Sequence, residues 1–219
     1  MLVAVTTQAQ WDKAVKAGQN IKVTSGPWYA YDSARVDAYD SARVDAHDSA
    51  VVDAHGSARV DAYDSARVDA CQNAVIVSHS DNTQCQGIVI NTKQIHSTPQ
   101  SWLATYHIPI KQGLVILYKT VATDFSTRHA IKYLPGTTVI APDWSEENIE
   151  CGNGLHFSPC SMAAEQFRDS KKYVACQVKV ADIRTYQGYP QYVDKIRAKQ
   201  CKVLYECDRD GNPIKEVIK

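Results

Sequence analysis

Residues 30–77 read AYDSARVD (30–37), AYDSARVD (38–45), AHDSAVVD (46–53), AHGSARVD (54–61), AYDSARVD (62–69) and a decayed ACQNAVIV (70–77). The period is eight. An α-helix would scatter Ala34, Ala42 and Ala50 around its surface, and Ser, Asp and Gly at every eighth position oppose helix formation. A strand fits instead. In Ala34-Arg35-Val36-Asp37-Ala38 the small apolar residues fall on one face and the charged ones on the other. Tyr39-Asp40-Ser41 then supplies turn chemistry, because Asp and Ser side chains bond nearby backbone. Each octapeptide is one strand and one corner.

A single unit of this kind cannot bury its apolar face, but stacked coils can. The repeat therefore predicts a short β-solenoid with Ala and Val inside a narrow interior and coils about 4.8 Å apart. Two octapeptides per coil give a flattened solenoid; three give a triangular one, and the hand is open. With two per coil, Tyr31, His47 and Tyr63 form one outward ladder, and Tyr39 and His55 another. Arg35, Arg43, Arg59 and Arg67 stand among Asp37, Asp45, Asp53, Asp61 and Asp69, and alternating signs are expected to relieve repulsion between coils. This surface reads either as a solvated, salt-bridged scaffold or as a binding face carried by the Tyr/His ladder.

Solenoid ends need caps. Residues 1–29 read as a small αβ cap: a strand over 1–5, a Thr7-x-x-Gln10 capping pattern, a helix over 8–16 with Trp11 and Val15 on one face, Gly18 at its C-cap, and a strand over 21–24. Trp28 is expected to cover the first coil. The solenoid spans 30–95. Residues 96–112 read as a linker helix opened by Thr98-Pro99 and carrying Trp102, and 113–219 as a compact α+β domain. The class is mainly β.

Lys plus Arg and Asp plus Glu each number 24, so bulk charge gives no nucleic-acid or anionic-membrane partner; Lys171-Lys172 or 195–202 could supply a local basic patch, and otherwise read as solvated surface. No apolar run matches a membrane span. The seven cysteines show no CxxC spacing. Residues 1–5 lack a basic leader, so a reduced cytosolic compartment with mostly buried thiols is expected.

In the C-terminal domain, strands are expected over 114–121, 137–141, 155–158, 173–180 and 202–207. A helix capped by Ser161 should run to Phe167, and Asp208-Arg209-Asp210-Gly211 should turn a hairpin. The densest chemistry is Glu150-Cys151-Gly152-Asn153-Gly154-Leu155-His156-Phe157-Ser158. Cys151 and His156 could be a nucleophile and base or two metal ligands; the alternative is a buried His beside a buried Cys. Alternation puts His156 and Ser158 on one face and Phe157 on the other. A ligand cleft formed by His156, Ser158, Gly154 and one of Tyr118 or Lys119 follows as an expectation, with no metal assigned.

Three resemblances attach to these residues. The DSARV repeats followed by WL, LYK, PGT, APDW, CGNGLHFSP and YECDRDG resemble a group of uncharacterised tailed-bacteriophage proteins across nearly the whole chain. CGNGLHFS, the Ala-Ala-x-x-Phe helix and KIRAKQCKVLYE, within 151–207, are similar to the C-terminal part of phage rapid-lysis B proteins. Leu117-Tyr118-Lys119, 154–158, 163–167 and 173–180 follow the order of elements in ADP-ribosyltransferases. That last resemblance implies NAD as cofactor, Ser158 at the nicotinamide ribose and Tyr118 or Lys119 beside it. The family's late glutamate is missing: Val193-Asp194-Lys195-Ile196-Arg197 stands there, without E-x-E, and Glu206 is a poor substitute by position.

Two functions are therefore expected. One is a non-enzymatic phage accessory protein, acting in the cytoplasm of the infected host on a host factor or defence component. The other is an NAD-using transferase. Self-association as a homodimer is expected, with Trp28, Trp102 or Tyr31, Tyr39, His47, His55 and Tyr63 as anchors.

Overall fold

The structure, a computed structural model, describes residues 2–167 and 172–214; Lys171, half of one basic pair, lies outside them. The chain is mainly β and divides into two compact units, Met1–Lys93 and Gln94–Lys219.

The first unit is the β-solenoid, with two octapeptides per coil. Its strands are β1 (Leu2–Ala4), β2 (Asn20–Val23), β3 (Pro27–Ala30), β4 (Arg35–Ala38), β5 (Arg43–Ala46), β6 (Val51–Ala54), β7 (Arg59–Ala62), β8 (Arg67–Ala70), β9 (Val75–Ser78), β10 (Gln84–Gln86) and β11 (Ile88–Asn91). They form two parallel sheets, in the orders β1-β2-β4-β6-β8-β10 and β11-β9-β7-β5-β3. Val36 pairs with Val52 and Val44 with Val60, so identical letters stack sixteen residues apart. The interior is as the alternation demands. Val36, Ala38, Ala42, Val44 and Ala46 and their equivalents are buried, with Ala34 and Ala70 packed against them at the margin.

The corners explain the recurrent Asp. Asp32, Asp40, Asp48 and Asp64 hold positive φ, as do Gly56 and Gln72 at the same repeat position. Asp tolerates the left-handed region better than most residues because its short side chain bonds local backbone. Here the bond crosses coils. Asp48 Oδ2 accepts from Asp32 N–H at 3.1 Å, Asp64 Oδ2 from Asp48 N–H at 3.2 Å, and Gln72 Oε1 from Gly56 N–H at 2.7 Å. Ser49, Ser57 and Ser65 hydroxyls donate to the Asp32, Asp40 and Asp48 carbonyls.

The charge pattern differs from the expected alternation between coils. Arg43 pairs with Arg59, Asp45 with Asp61, and Asp37 with Asp53 and thence Asp69. A coil of two identical octapeptides must stack like on like. Burial, then Asp53 or Asp61, raises the pKa of Asp37 and Asp45 respectively. Relief comes from within the strand and from the corners: Arg59 bonds Asp61 at 2.9 Å, and His79 bonds it at 3.1 Å. Burial opposes the Asp61 charge, but these two hydrogen bonds outweigh it and lower its pKa.

At the N-terminal end, helix α1 (Gln8–Lys16) starts at Thr7 and ends in a Schellman motif. Gly18 N–H donates to the Val15 carbonyl and Gln19 N–H to that of Ala14. Trp11 and Ala14 form its buried face, whereas Val15, expected beside Trp11 in the core, is exposed. At the other end a helical turn, α2 (Thr92–Ile95), follows β11.

In the second unit, helix α3 (Pro99–Thr105) is not a free linker. Trp102 and Leu103 are fully buried in one core with Leu117, Phe157 and Val203. Strands β12 (Leu114–Val121), β13 (Thr138–Ile140), β14 (Leu155–Phe157), β15 (Lys172–Lys179), β16 (Ile183–Arg184), β17 (Ile196–Ala198) and β18 (Gln200–Cys207) build two sheets, β12-β15-β18-β13 and β14-β17-β16. Their pairings are antiparallel. The short helix α4 (Ser161–Ala164) is capped by Cys160, whose Sγ accepts from Ala163 N–H. Ser161 is the first helical residue and donates to the Arg209 carbonyl instead. Cys176, Cys201 and Cys207 are buried, but Cys71, Cys151 and Cys160 are exposed, so the thiols are not mostly interior.

Candidate functional site

The corner aromatics form two stacks. Tyr31, His47, Tyr63 and His79 lie one above another, with successive ring centroids 4.9, 4.5 and 4.5 Å apart. On the opposite corner Tyr39 stacks on His55 at 4.7 Å, and His55 Nδ1 meets Cys71 Sγ at 2.9 Å. The repeat identified both ladders; His79 and Cys71 extend them past the units that match it. Each stack also has an N-terminal end. Lys22 Nζ lies 4.5 Å over the ring of Tyr39 and closes the second. Tyr31, half-exposed, ends the first.

Beyond Tyr31 the solenoid stops being a solenoid. β3 is the edge of its sheet, and residues 8–16, one coil earlier, are helical. A cleft of about 570 Å³ lies there, lined by Gln8, Trp11, Asp12, Val15, Lys16, Tyr29, Tyr31 and Asp32. The helical contributors sit at i, i+3, i+4, i+7 and i+8, which is one face of a helix. Trp11 stacks on Trp28 at 5.1 Å and fixes the helix against the first coil. Asp12 accepts from Gln8 Nε2 at 2.8 Å. Asp32 is the first acid of the corner ladder. Its carboxylate has no preceding coil whose N–H it could accept, and among the described residues no group donates to it.

The polar cluster of the second unit is assembled differently from the expected cleft. Tyr118 and Ser158 exchange backbone hydrogen bonds at 3.0 and 2.9 Å, and Lys119 Nζ donates to the His156 carbonyl at 2.9 Å. All four residues therefore meet. Tyr118 and Lys119 are consecutive on one strand, however, and their side chains leave opposite faces. Lys119 shares the buried face of Val115, Leu117 and Val121 and lies 5.1 Å from the Tyr133 ring centroid. Ser158 is 2 % exposed. His156 Nε2 is buried with no hydrogen-bond partner among the described residues. Burial, then the Lys119, Lys195 and Arg197 charges, lowers the His156 pKa to about 4. Gly154 keeps the backbone close to Trp144: a Cβ there would lie 3.2 Å from the indole. Ser158 is thus enclosed by packing, whereas Tyr118, Lys119, Gly154 and His156 are each only partly buried.

The remaining candidates lie apart from this cluster or are already paired. Cys151 is exposed and receives Lys195 Nζ at 3.0 Å. Glu206 pairs with Lys172 at 2.8 Å. Trp28 and Trp102 are buried and offer a partner nothing. Two buried residues that sequence reasoning missed hold loops in place. Arg197 donates to the Ser145, Glu147 and Asn153 carbonyls. His96 bonds the Val193 carbonyl through Nε2 at 2.7 Å and accepts from Tyr186 N–H.

Compared with known proteins, the chain matches no family model, no curated protein and no solved structure. No helix among the described residues is long and apolar enough to cross a membrane.

Proposed function

We propose that the protein is a non-enzymatic interaction module, a phage-encoded accessory protein that engages a host factor in the cytoplasm of the infected bacterium. The observation that carries this reading is the cleft at the open end of the Tyr31 stack. It is roomy, aromatic, polar and mounted on a rigid stack of coils, as a recognition site requires. The phage affinity rests on the order of motifs along the chain, and a role against host defence on that affinity. Self-association as a homodimer belongs to the same reading, with the anchors reduced to Tyr31, Tyr39, His47, His55 and Tyr63; a monomer mass by light scattering at high concentration removes it.

The transferase reading keeps one supporting observation, the pairing of Tyr118 with Ser158 in the order the resemblance requires. Burial of the Ser158 side chain weighs against it. Incubation of the full chain with millimolar NAD separates the two. No nicotinamide release is expected; release above background overturns the interaction-module reading. On the positive side, a photoreactive group at position 29 should crosslink a host polypeptide in infected cells, and Tyr31→Leu should abolish that product. A crosslink that survives Tyr31→Leu counts against the cleft.

A further inference from the structure

We infer that the cleft at the solenoid's N-terminal end recognises an arginine side chain of a partner polypeptide. The inference rests on the interaction-module reading and names the chemistry of its ligand.

The starting point is an asymmetry between the two corner stacks. Both begin with a tyrosine, and both tyrosines rest one face on a histidine of the next coil. For Tyr39 the other face is covered by the chain's own cation, Lys22, at 4.5 Å. For Tyr31 the other face opens into the cleft, and the residue is 51 % exposed. The fold thus shows, on one corner, what satisfies the end of such a stack: a positive charge over an electron-rich ring.

The second asymmetry concerns the carboxylate ladder. Asp48 and Asp64 each accept an N–H from the coil before. The residue one coil before Asp32 is Lys16, the last of α1, where the chain is helical. The Asp32 carboxylate is left as an acceptor beside the Tyr31 face. Asp12 adds a second carboxylate from the helix, so the cleft lining holds two acids against the single ammonium of Lys16.

A ligand that completes both ladders must be flat enough to continue the stack, cationic, and able to present N–H groups edge-on to a carboxylate. A guanidinium combines these properties; an ammonium lacks the plane and the fork. Tyr29, also half-exposed, supplies a second aromatic wall. A cavity of about 570 Å³ leaves room for the arginine and for neighbouring main chain.

The test titrates the full-length chain with three short capped peptides, Gly-Arg-Gly, Gly-Lys-Gly and Gly-citrulline-Gly, following tyrosine and tryptophan fluorescence. Citrulline keeps the shape and removes the charge. The arginine peptide should saturate, the lysine peptide should bind more weakly, and citrulline should fall at least roughly tenfold, about 1.4 kcal/mol. Tyr31→Leu and Asp32→Asn should each weaken the arginine peptide by a similar factor. Asn tolerates the left-handed backbone at position 32, so this variant keeps the fold, which circular dichroism checks. Equal binding of citrulline, arginine binding indifferent to both substitutions, or no saturation at all overturns the proposal. Adenosine and maltotriose are titrated in parallel. If either binds in a Tyr31-dependent manner while arginine does not, the cation assignment falls and the interaction-module reading stands. Failure of that reading is reported separately, by nicotinamide release from NAD.

Discussion

The carboxylate of Asp48 accepts the backbone N–H of Asp32 from the neighbouring coil at 3.1 Å, and the two residues hold φ of 53° and 55°. One side chain thus settles two problems of a tight solenoid corner: a left-handed backbone and an amide that would otherwise face solvent alone. Asp48→Ala removes the acceptor and forces a Cβ-bearing residue without local hydrogen bonding into the same region. A loss of about 1–2 kcal/mol is expected. Asp48→Asn, which keeps both properties, should lose much less. Urea unfolding of the two variants decides, and equal stability removes the ladder as a source of stability.

Val44 is fully buried in the solenoid interior, in register between Trp28 on one coil and Val60 on the next. Val44→Asp places a carboxylate where no partner exists and no volume is spare. Such a burial exceeds about 4 kcal/mol and unfolds a unit of this size. Loss of the β-type circular dichroism signal of residues 1–93 is expected. A cooperative variant with an unchanged spectrum contradicts the inward assignment of Val36, Val44 and their equivalents.

The period of eight made the solenoid legible because strand alternation and corner chemistry recur in phase. It also implied the stacking of Tyr31 on His47, since a coil of two units brings every second octapeptide into register. The same logic stacks Asp37 on Asp53, and the expectation of alternating charge missed it by reading along the strand instead of across coils. The cleft was not legible. It exists because α1 stands at the edge of β3 where a strand would continue the sheet: the Thr7 cap and Gly18 marked the helix itself, but nothing local placed its stripe of Gln8, Trp11, Asp12, Val15 and Lys16 beside Tyr31. In the second unit, alternation correctly placed Phe157 in the core. It did not show that Lys119 would point inward beside Tyr133, because a lysine on a strand reads as a solvent-facing residue until its neighbours are known.

Gly87 sits between β10 and β11, where the last coil is shortened: Ile88 pairs with Val75, thirteen residues back, in place of the repeat's sixteen. Its φ is +123°, and a Cβ there would lie 2.5 Å from the Ala70 carbonyl oxygen. Both the backbone and the space exclude a side chain. Gly87→Ala should therefore cost more than an ordinary turn substitution, about 2–4 kcal/mol. Gly18→Ala, in the same unit with positive φ but nothing near the added Cβ, gives the cost of an ordinary left-handed position for comparison. Similar thermal midpoints for the two variants would show that the close approach to Ala70 contributes nothing.

His156 sets an acid limit on the second unit. Its pKa falls from the ordinary 6.5 to about 4, first because it is buried and then because Lys119, Lys195 and Arg197 stand near, opposed by Asp143 alone. The unfolded chain thus binds the proton at higher pH than the folded one. The stability contributed by the neutral ring is fully present above pH 6.5 and is lost as pH falls toward 4. The size is on the order of 2–3 kcal/mol. His96, whose pKa is lowered by burial, acts in the same direction. The two are separated by His156→Phe. Since His156 Nε2 has no hydrogen-bond partner among the described residues, the substitution leaves nothing unsatisfied. Phe should match the wild type or exceed it at pH 7.5 and lose less stability at pH 4.5. Denaturant midpoints measured at both pH values give the comparison. An identical acid loss in the Phe variant would mean that His156 is not the group taking up the proton.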